Sequence, residues 1–228
     1  MRKLMRILLC LVALFFGSTL LAVVALKWVP VYYTPLMFTR LIDQKSEGKE
    51  LKLSHSWVPL NEISENLSLA VIASEDQRFM EHSGFDFEQI NKAIDEANAG
   101  KRQRGASTIS QQTAKNVFLW QGHSWIRKGL EAYFTMLIEW VWGKERIIEV
   151  YLNSIEMGDG IYGAQAVAEE HFSKNAAKLT RAESALIAAT LPSPLKRNSA
   201  RPSSYMLKRR QQILRQMRLI HNPHLGIK

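Results

Sequence analysis

The sequence predicts a mainly α fold behind one N-terminal transmembrane helix. Three observations carry this: an uncharged apolar run at residues 7–26, apolar residues at helical spacing through most of the chain after it, and almost no two-residue alternation. With 228 residues, 46% hydrophobic and 22% charged, the chain has the balance of a folded domain, which excludes a disordered or low-complexity one.

The apolar run holds 20 residues. At about 1.5 Å rise per residue it is roughly 30 Å long, the thickness of a bilayer's hydrocarbon core. Arg2, Lys3 and Arg6 precede it, so residues 1–6 are expected in the cytoplasm and the remainder outside. A cleaved signal peptide is the alternative, with Val23-Val24-Ala25 as its small-residue site. Its apolar core is usually only about 7–15 residues, which favours an uncleaved anchor. Trp28, Tyr32 and Tyr33 come next as an interfacial aromatic belt. Cys10 lies in the span, so the exported part is expected to have neither disulfide nor thiolate metal site.

Residues 27–56 read as a stem without helical periodicity, and 57–228 as the exported domain. Ser64 is expected to cap a helix carrying Leu67, Ala70, Val71 and Ser74 and ending near Glu75. Residues 87–98 form a second helix, and 100–105 a basic loop bounded by glycines. Leu130, Phe134, Leu137, Ile138 and Val141 mark an amphipathic helix over 127–142, and Gly143 separates it from another over 145–152. Thr180 and Glu183 form a capping box before the apolar run 184–191, which Pro192 and Pro194 stop. A basic helix over 205–219 closes the domain.

The charge is uneven. Lys and Arg total 30 against 21 acids, and residues 184–228 hold nine of the basic residues and none of the acids. Such a tail fits a polyanion, either nucleic acid or a membrane surface. An exported chain meets membrane lipids rather than nucleic acid, so the final helix is expected to steady the domain on the bilayer.

Chemistry concentrates in three stretches. Residues 74–86 gather Glu75, Asp76, Glu81 and Asp86 around Arg78 and His82 at the end of an apolar helix. The negative end of the helix dipole and burial against Phe79 raise a carboxylate's proton affinity there, and Arg78 opposes them. That suits a general base or acid, although a solvated turn explains the same composition. Residues 105–119 combine hydroxyls and amides with Lys115, as a sugar or phosphate site would, or a polar loop entering a helix. Arg127 and Glu131, four apart, form either a surface pair or an anion- and metal-binding pair. The six histidines show no metal-binding spacing. The apolar patch of Val117, Phe118, Leu119, Trp120 and Trp125 reads as core first and membrane contact second.

The order and spacing are more telling than any one motif. Glu75-Asp76-x-x-Phe79-x-x-His82-x-Gly84-x-Asp86 precedes Gly105-x-Ser107-Thr108-Ile109-x-Gln111-Gln112-x-x-Lys115-Asn116-x-Phe118-Leu119. Arg127-Lys128-x-x-Glu131 and Arg146-Ile147-x-Glu149-x-Tyr151-Leu152-Asn153 come after them. From about residue 57 to 217 the chain resembles the monofunctional peptidoglycan transglycosylases of family-51 glycosyltransferases, whose domain also occurs in bifunctional penicillin-binding proteins.

The resemblance implies a lysozyme-like helical domain with a smaller membrane-proximal lobe. It implies polymerisation of lipid II into β-1,4-linked glycan at the bacterial inner membrane, with the catalytic domain in the periplasm. By it, Glu75 is the general base, Glu131 the second important glutamate near diphosphate and metal, and Lys115, Arg127 and Lys128 the diphosphate cations. Ser107, Thr108, Gln111 and Asn116 are implied donor contacts, Asp76 lies in the substrate site and orients its surroundings, and Mg²⁺ or Mn²⁺ is the implied cofactor. Lipid II, the growing glycan chain, membrane lipids and cell-wall synthesis or division proteins are the implied partners. The family often has an arginine where this chain has His123. Two other readings are a lysozyme-like hydrolytic or lytic murein enzyme and a membrane-anchored scaffold for anionic lipids.

Overall fold

The computed structural model describes residues 2–100, 105–122 and 124–220. His123 and most of the basic loop at 100–105 lie outside the described residues. Helix α1 (Arg2–Ala25) is the apolar run, long and apolar enough to cross a bilayer. It is docked on the domain rather than tethered to it. The Thr19 hydroxyl hydrogen-bonds the Tyr133 hydroxyl at 2.8 Å, and Trp142 Nε1–H donates to the Val23 carbonyl at 2.7 Å. Arg146 donates to the carbonyls of Leu26 and Val29, which no longer have helical partners of their own.

Residues 27–56, expected as an aperiodic stem, carry structure. Helix α2 (Pro35–Ser46) begins with Thr34 as N-cap and Pro35 in its first turn, and strand β1 (Ser54–His55) comes after it. Helix α2 was hidden from periodicity because it buries only Leu36, Met37 and Gln44. Leu36 and Met37 meet Tyr162, and Gln44 clamps the Lys52 backbone through both ends of its amide.

Helices α3 (Glu65–Glu75), α4 (Phe87–Asn98), α6 (Trp125–Val141) and α7 (Lys144–Ser154) lie close to expectation, and α5 (Ile109–Phe118) fills the stretch where a polar loop entering a helix is one reading of the sequence. Ser64 precedes α3 but makes no side-chain cap; its hydroxyl donates instead to the Leu179 carbonyl at 2.8 Å. Strands β2 (Glu156–Gly158) and β3 (Ile161–Tyr162) join β1 in a sheet of order β1-β3-β2, with Ser54 opposite Ile161 in parallel and Glu156 opposite Tyr162 antiparallel. So short a sheet is set by its packing rather than by strand propensity, which is why no alternation announces it.

Helices α8 (Gly163–Phe172), α9 (Arg181–Thr190) and α10 (Ser204–Leu219) complete the chain. The Thr180–Glu183 capping box forms as expected. Helices α3, α9 and α10 pack together, α5 packs on both α6 and α7, and α7 on α8. The apolar patch divides: Val117 and Leu119 are core, whereas Trp120 and Trp125 are exposed. Helix α10 is a core helix on one face, through Met206, Ile213 and Met217.

Candidate active site

Two cavities lie along helix α5 and the segment that leads into it. The first, about 210 Å³, is lined by residues 74–78 with Asp86, Gln89, Gly105, Ala106, Ser107 and Thr108. The second, about 260 Å³, is lined by Gln112, Lys115, Asn116, Trp120 and Arg127 together with Arg40, Glu156 and apolar neighbours. Gln112 joins them, since it lines the second and its Nε2 donates to Glu75 Oε2 at 3.2 Å.

Glu75 is the last residue of α3 and is partly buried. Burial pushes its pKa up, against the hydrogen bonds from Gln112 and from Ser74 Oγ (3.2 Å) and the charge of Arg209. The opposing cation is therefore not Arg78, as the sequence led one to expect. Arg78 is engaged by Glu81, Asp86 and Glu88 on the turn beyond α3. Arg209 instead reaches in from α10, its Nη2 donating to Ser74 Oγ at 3.5 Å.

Helix α5 carries the site's polar groups and is fastened at its start. Asp76 is buried, and both its oxygens are used: His82 Nε2 lies 2.9 and 3.0 Å from them, and the Ile109 N–H donates to Oδ2 at 3.0 Å. Thr108 and Gln111 form a reciprocal capping box, and Thr108 Oγ1 also donates to the Gly84 carbonyl at 2.6 Å. Gly84 has φ +88°, and a Cβ there would come within 2.8 Å of Thr135, so the turn that presents this carbonyl needs glycine. Asp76, the Thr108 hydroxyl and Gln111 Oε1, all on residues expected at the substrate, thus also fasten the start of α5. Ser107 is exposed in the first cavity and Asn116 is buried on the wall of the second.

The cations stand at the other end of α5. Lys115 opens onto the second cavity, where desolvation by its surroundings lowers its pKa. No carboxylate lies within ion-pair distance of it among the described residues. Ser124 caps α6 and so fixes the turn bearing Arg127. Arg127 and Glu131 are both buried, their pair 3.3 Å long, and the buried Arg127 Nε–H has no partner among the described residues. Lys128 pairs with the other oxygen of Glu131. The surface-pair reading of Arg127 and Glu131 is therefore excluded.

The expected metal fares differently. Among the described residues no three His, Cys, Asp or Glu side chains converge. Glu131 is held by cations on both oxygens, so this donor set does not fit a resident Mg²⁺ or Mn²⁺.

Sequence reading named Gln112 and Tyr151 only as members of motifs. Tyr151, fully buried on α7, donates its hydroxyl proton to Gln112 Oε1 at 3.0 Å, which turns the amide's Nε2 towards Glu75. Burial holds the Tyr151 pKa well above the usual value, so it remains a donor. Arg209 had no local signal, because α10 meets α3 only in the fold.

A family model described as transglycosylase matches residues 43–218. A protein of Bacteroides thetaiotaomicron named biosynthetic peptidoglycan transglycosylase is 58% identical over 96% of this chain and 88% of its own. Proteins of the same name from Chromohalobacter salexigens and Caulobacter vibrioides are 49% and 50% identical, over 96% and 93% of this chain and 93% and 90% of theirs. With a family model matched over residues 43–218 and relatives matched almost end to end, the chain belongs to the transglycosylase family.

Proposed function

We propose that the chain is a peptidoglycan glycosyltransferase that polymerises lipid II into β-1,4-linked glycan with release of undecaprenyl diphosphate. The observation that carries this is Glu75, whose proton affinity is raised by burial, on the wall of a polar cavity and hydrogen-bonded to Gln112, which lines the cavity walled by Lys115 and Arg127. The acceptor's 4-hydroxyl gives its proton to the Glu75 carboxylate as its oxygen attacks the donor's anomeric carbon. The C–O bond to the diphosphate breaks with inversion. Departure of an anion needs positive charge rather than a proton, and Lys115 and Arg127 supply it from the cavity wall.

Retaining hydrolysis would need a second carboxylate roughly 5 Å from the first. Asp76 and Asp86 are the other carboxylates lining the Glu75 cavity among the described residues. Asp76 is held by His82 and Ile109, and Asp86 by Arg78 and the N–H of Gln89. Polymerisation is therefore favoured over hydrolysis.

The substrate's lipid tail requires a membrane setting. Helix α1 supplies an anchor, and Trp125, Ile126, Met136 and Trp140 of α6 are exposed. With Arg2, Lys3 and Arg6 on the cytoplasmic side of the inner membrane, the catalytic domain lies in the periplasm. The test is Glu75→Gln on purified lipid II. A loss of at least about 100-fold in strand synthesis is expected, and undiminished synthesis would sink the mechanism.

A further inference from the structure

Arg40 belongs to none of the sequence motifs and precedes residue 43, where the family match begins. It nonetheless lines the same cavity as Lys115 and Arg127. We propose that Arg40 is a further substrate-binding cation, which takes an anionic oxygen of the leaving diphosphate at the edge of that cavity. The inference rests on the glycosyl-transfer reading of the site.

Its position is built rather than incidental. Thr34 and Pro35 start α2, buried Leu36 and Met37 seat it against Tyr162, and Arg40 stands one turn later. Its Nε–H donates to Glu156 Oε2 at 3.1 Å, with Glu156 only 3% exposed. Nη1 makes an ion pair with the half-exposed Asp43 at 3.7 Å, beyond hydrogen-bond distance, so the terminal nitrogens make no hydrogen bond among the described residues. A guanidinium held through Nε presents the rest of its planar fork to an incoming anion, the geometry that suits phosphate oxygens. Glu156 does not depend on Arg40 alone, since the Tyr162 hydroxyl donates to its other oxygen at 3.3 Å. The charged residues lining this cavity are Arg40, Lys115 and Arg127 against Glu156, a net positive wall.

The competing role is a latch that only pins α2 to β2 through Glu156. Binding of inorganic diphosphate to the full chain in detergent, read as a thermal shift, separates the two without any turnover. Arg40→Gln is expected to weaken diphosphate binding about 10-fold, Arg40→Lys less, and Glu156→Gln not at all or in the opposite direction. With lipid II, Arg40→Gln should raise KM more than it lowers kcat. Unchanged diphosphate binding in Arg40→Gln would overturn the inference. Equal loss in Arg40→Gln and Glu156→Gln would also overturn it, because that is a latch. A wild-type chain that binds diphosphate but forms no glycan would instead refute the proposed function.

Discussion

Asp76 separates a substrate contact from a structural fastening, and the two roles predict opposite results for the protein without substrate. Replacing it by alanine strips the Ile109 N–H and His82 Nε2 of their acceptor, at the point where α5 begins. Each buried polar group left unsatisfied costs about 1–3 kcal/mol, so Asp76→Ala should lose about 2–6 kcal/mol. For a chain of this size about 2–4 °C of melting temperature corresponds to each kcal/mol, giving a fall of roughly 5–20 °C. Asp76→Asn keeps one acceptor oxygen without the charge and should fall between alanine and wild type. The assay is thermal unfolding of the full chain in detergent, monitored by circular dichroism, with polymerisation rates measured well below the transition. Activity should fall as well, since Gln112 and Lys115 ride on the same helix. A melting temperature for Asp76→Ala equal to wild type, with KM alone raised, would refute the fastening and restore Asp76 as a substrate contact.

The geometry carries four further outcomes. Because burial raises the Glu75 pKa, its basic form is lost as pH falls through a value above the ordinary glutamate range. The acid limb of kcat/KM should therefore lie above that range, and Arg209→Gln, by removing an opposing cation, should move it higher still. The folded state holds the Glu75 proton more tightly than the unfolded state, so ionisation of this group detracts from stability above the unfolded pKa. Glu75→Gln should accordingly melt no lower than wild type at about pH 7–8, a result read in the same unfolding assay. Lys115 is charged below its lowered pKa and loses that charge as pH rises through it. Lys115→Arg, which does not titrate, should extend whatever activity it retains further into alkali. Gly163 has φ +83° and a Cβ there would lie 2.5 Å from the Asn153 carbonyl oxygen, so Gly163→Ala should cost about 2–4 kcal/mol in urea unfolding.

How far the sequence alone could be read depended on whether the cause of each element was local. Helix α4 was legible to the residue because Asp86 caps it through its own side chain, and α9 because Thr180 and Glu183 form a box within four residues. Ser64 has the composition of a cap but spends its hydroxyl on Leu179, 115 residues away. Helix α2 offered a local sign in Thr34-Pro35, but its single buried edge gives no stripe to count. The site divides in the same way. Motif spacing singled out Glu75, Lys115 and Arg127; Arg127 has its partner, Glu131, within its own motif, whereas other neighbours came from elsewhere in the chain: Arg209 near Glu75, Tyr151 behind Gln112, Arg40 on the cavity of Lys115.

The uneven charge shows what that division means for function. Nine basic residues without an acid in 184–228 read as a surface for anionic lipid. Arg209, one of them, is half-buried and donates to Ser74, whose hydroxyl in turn donates to the Glu75 carboxylate. A membrane-facing role for α10 must then rest on Lys208, Arg215 and Arg218, which remain exposed. Neutralising these three should weaken liposome binding while leaving the acid limb of the pH profile in place, whereas Arg209→Gln should move the limb. If the triple variant moved the limb as far as Arg209→Gln does, the charge of α10 would be acting on Glu75 as a diffuse field, and the Arg209–Ser74–Glu75 connection would not be its route.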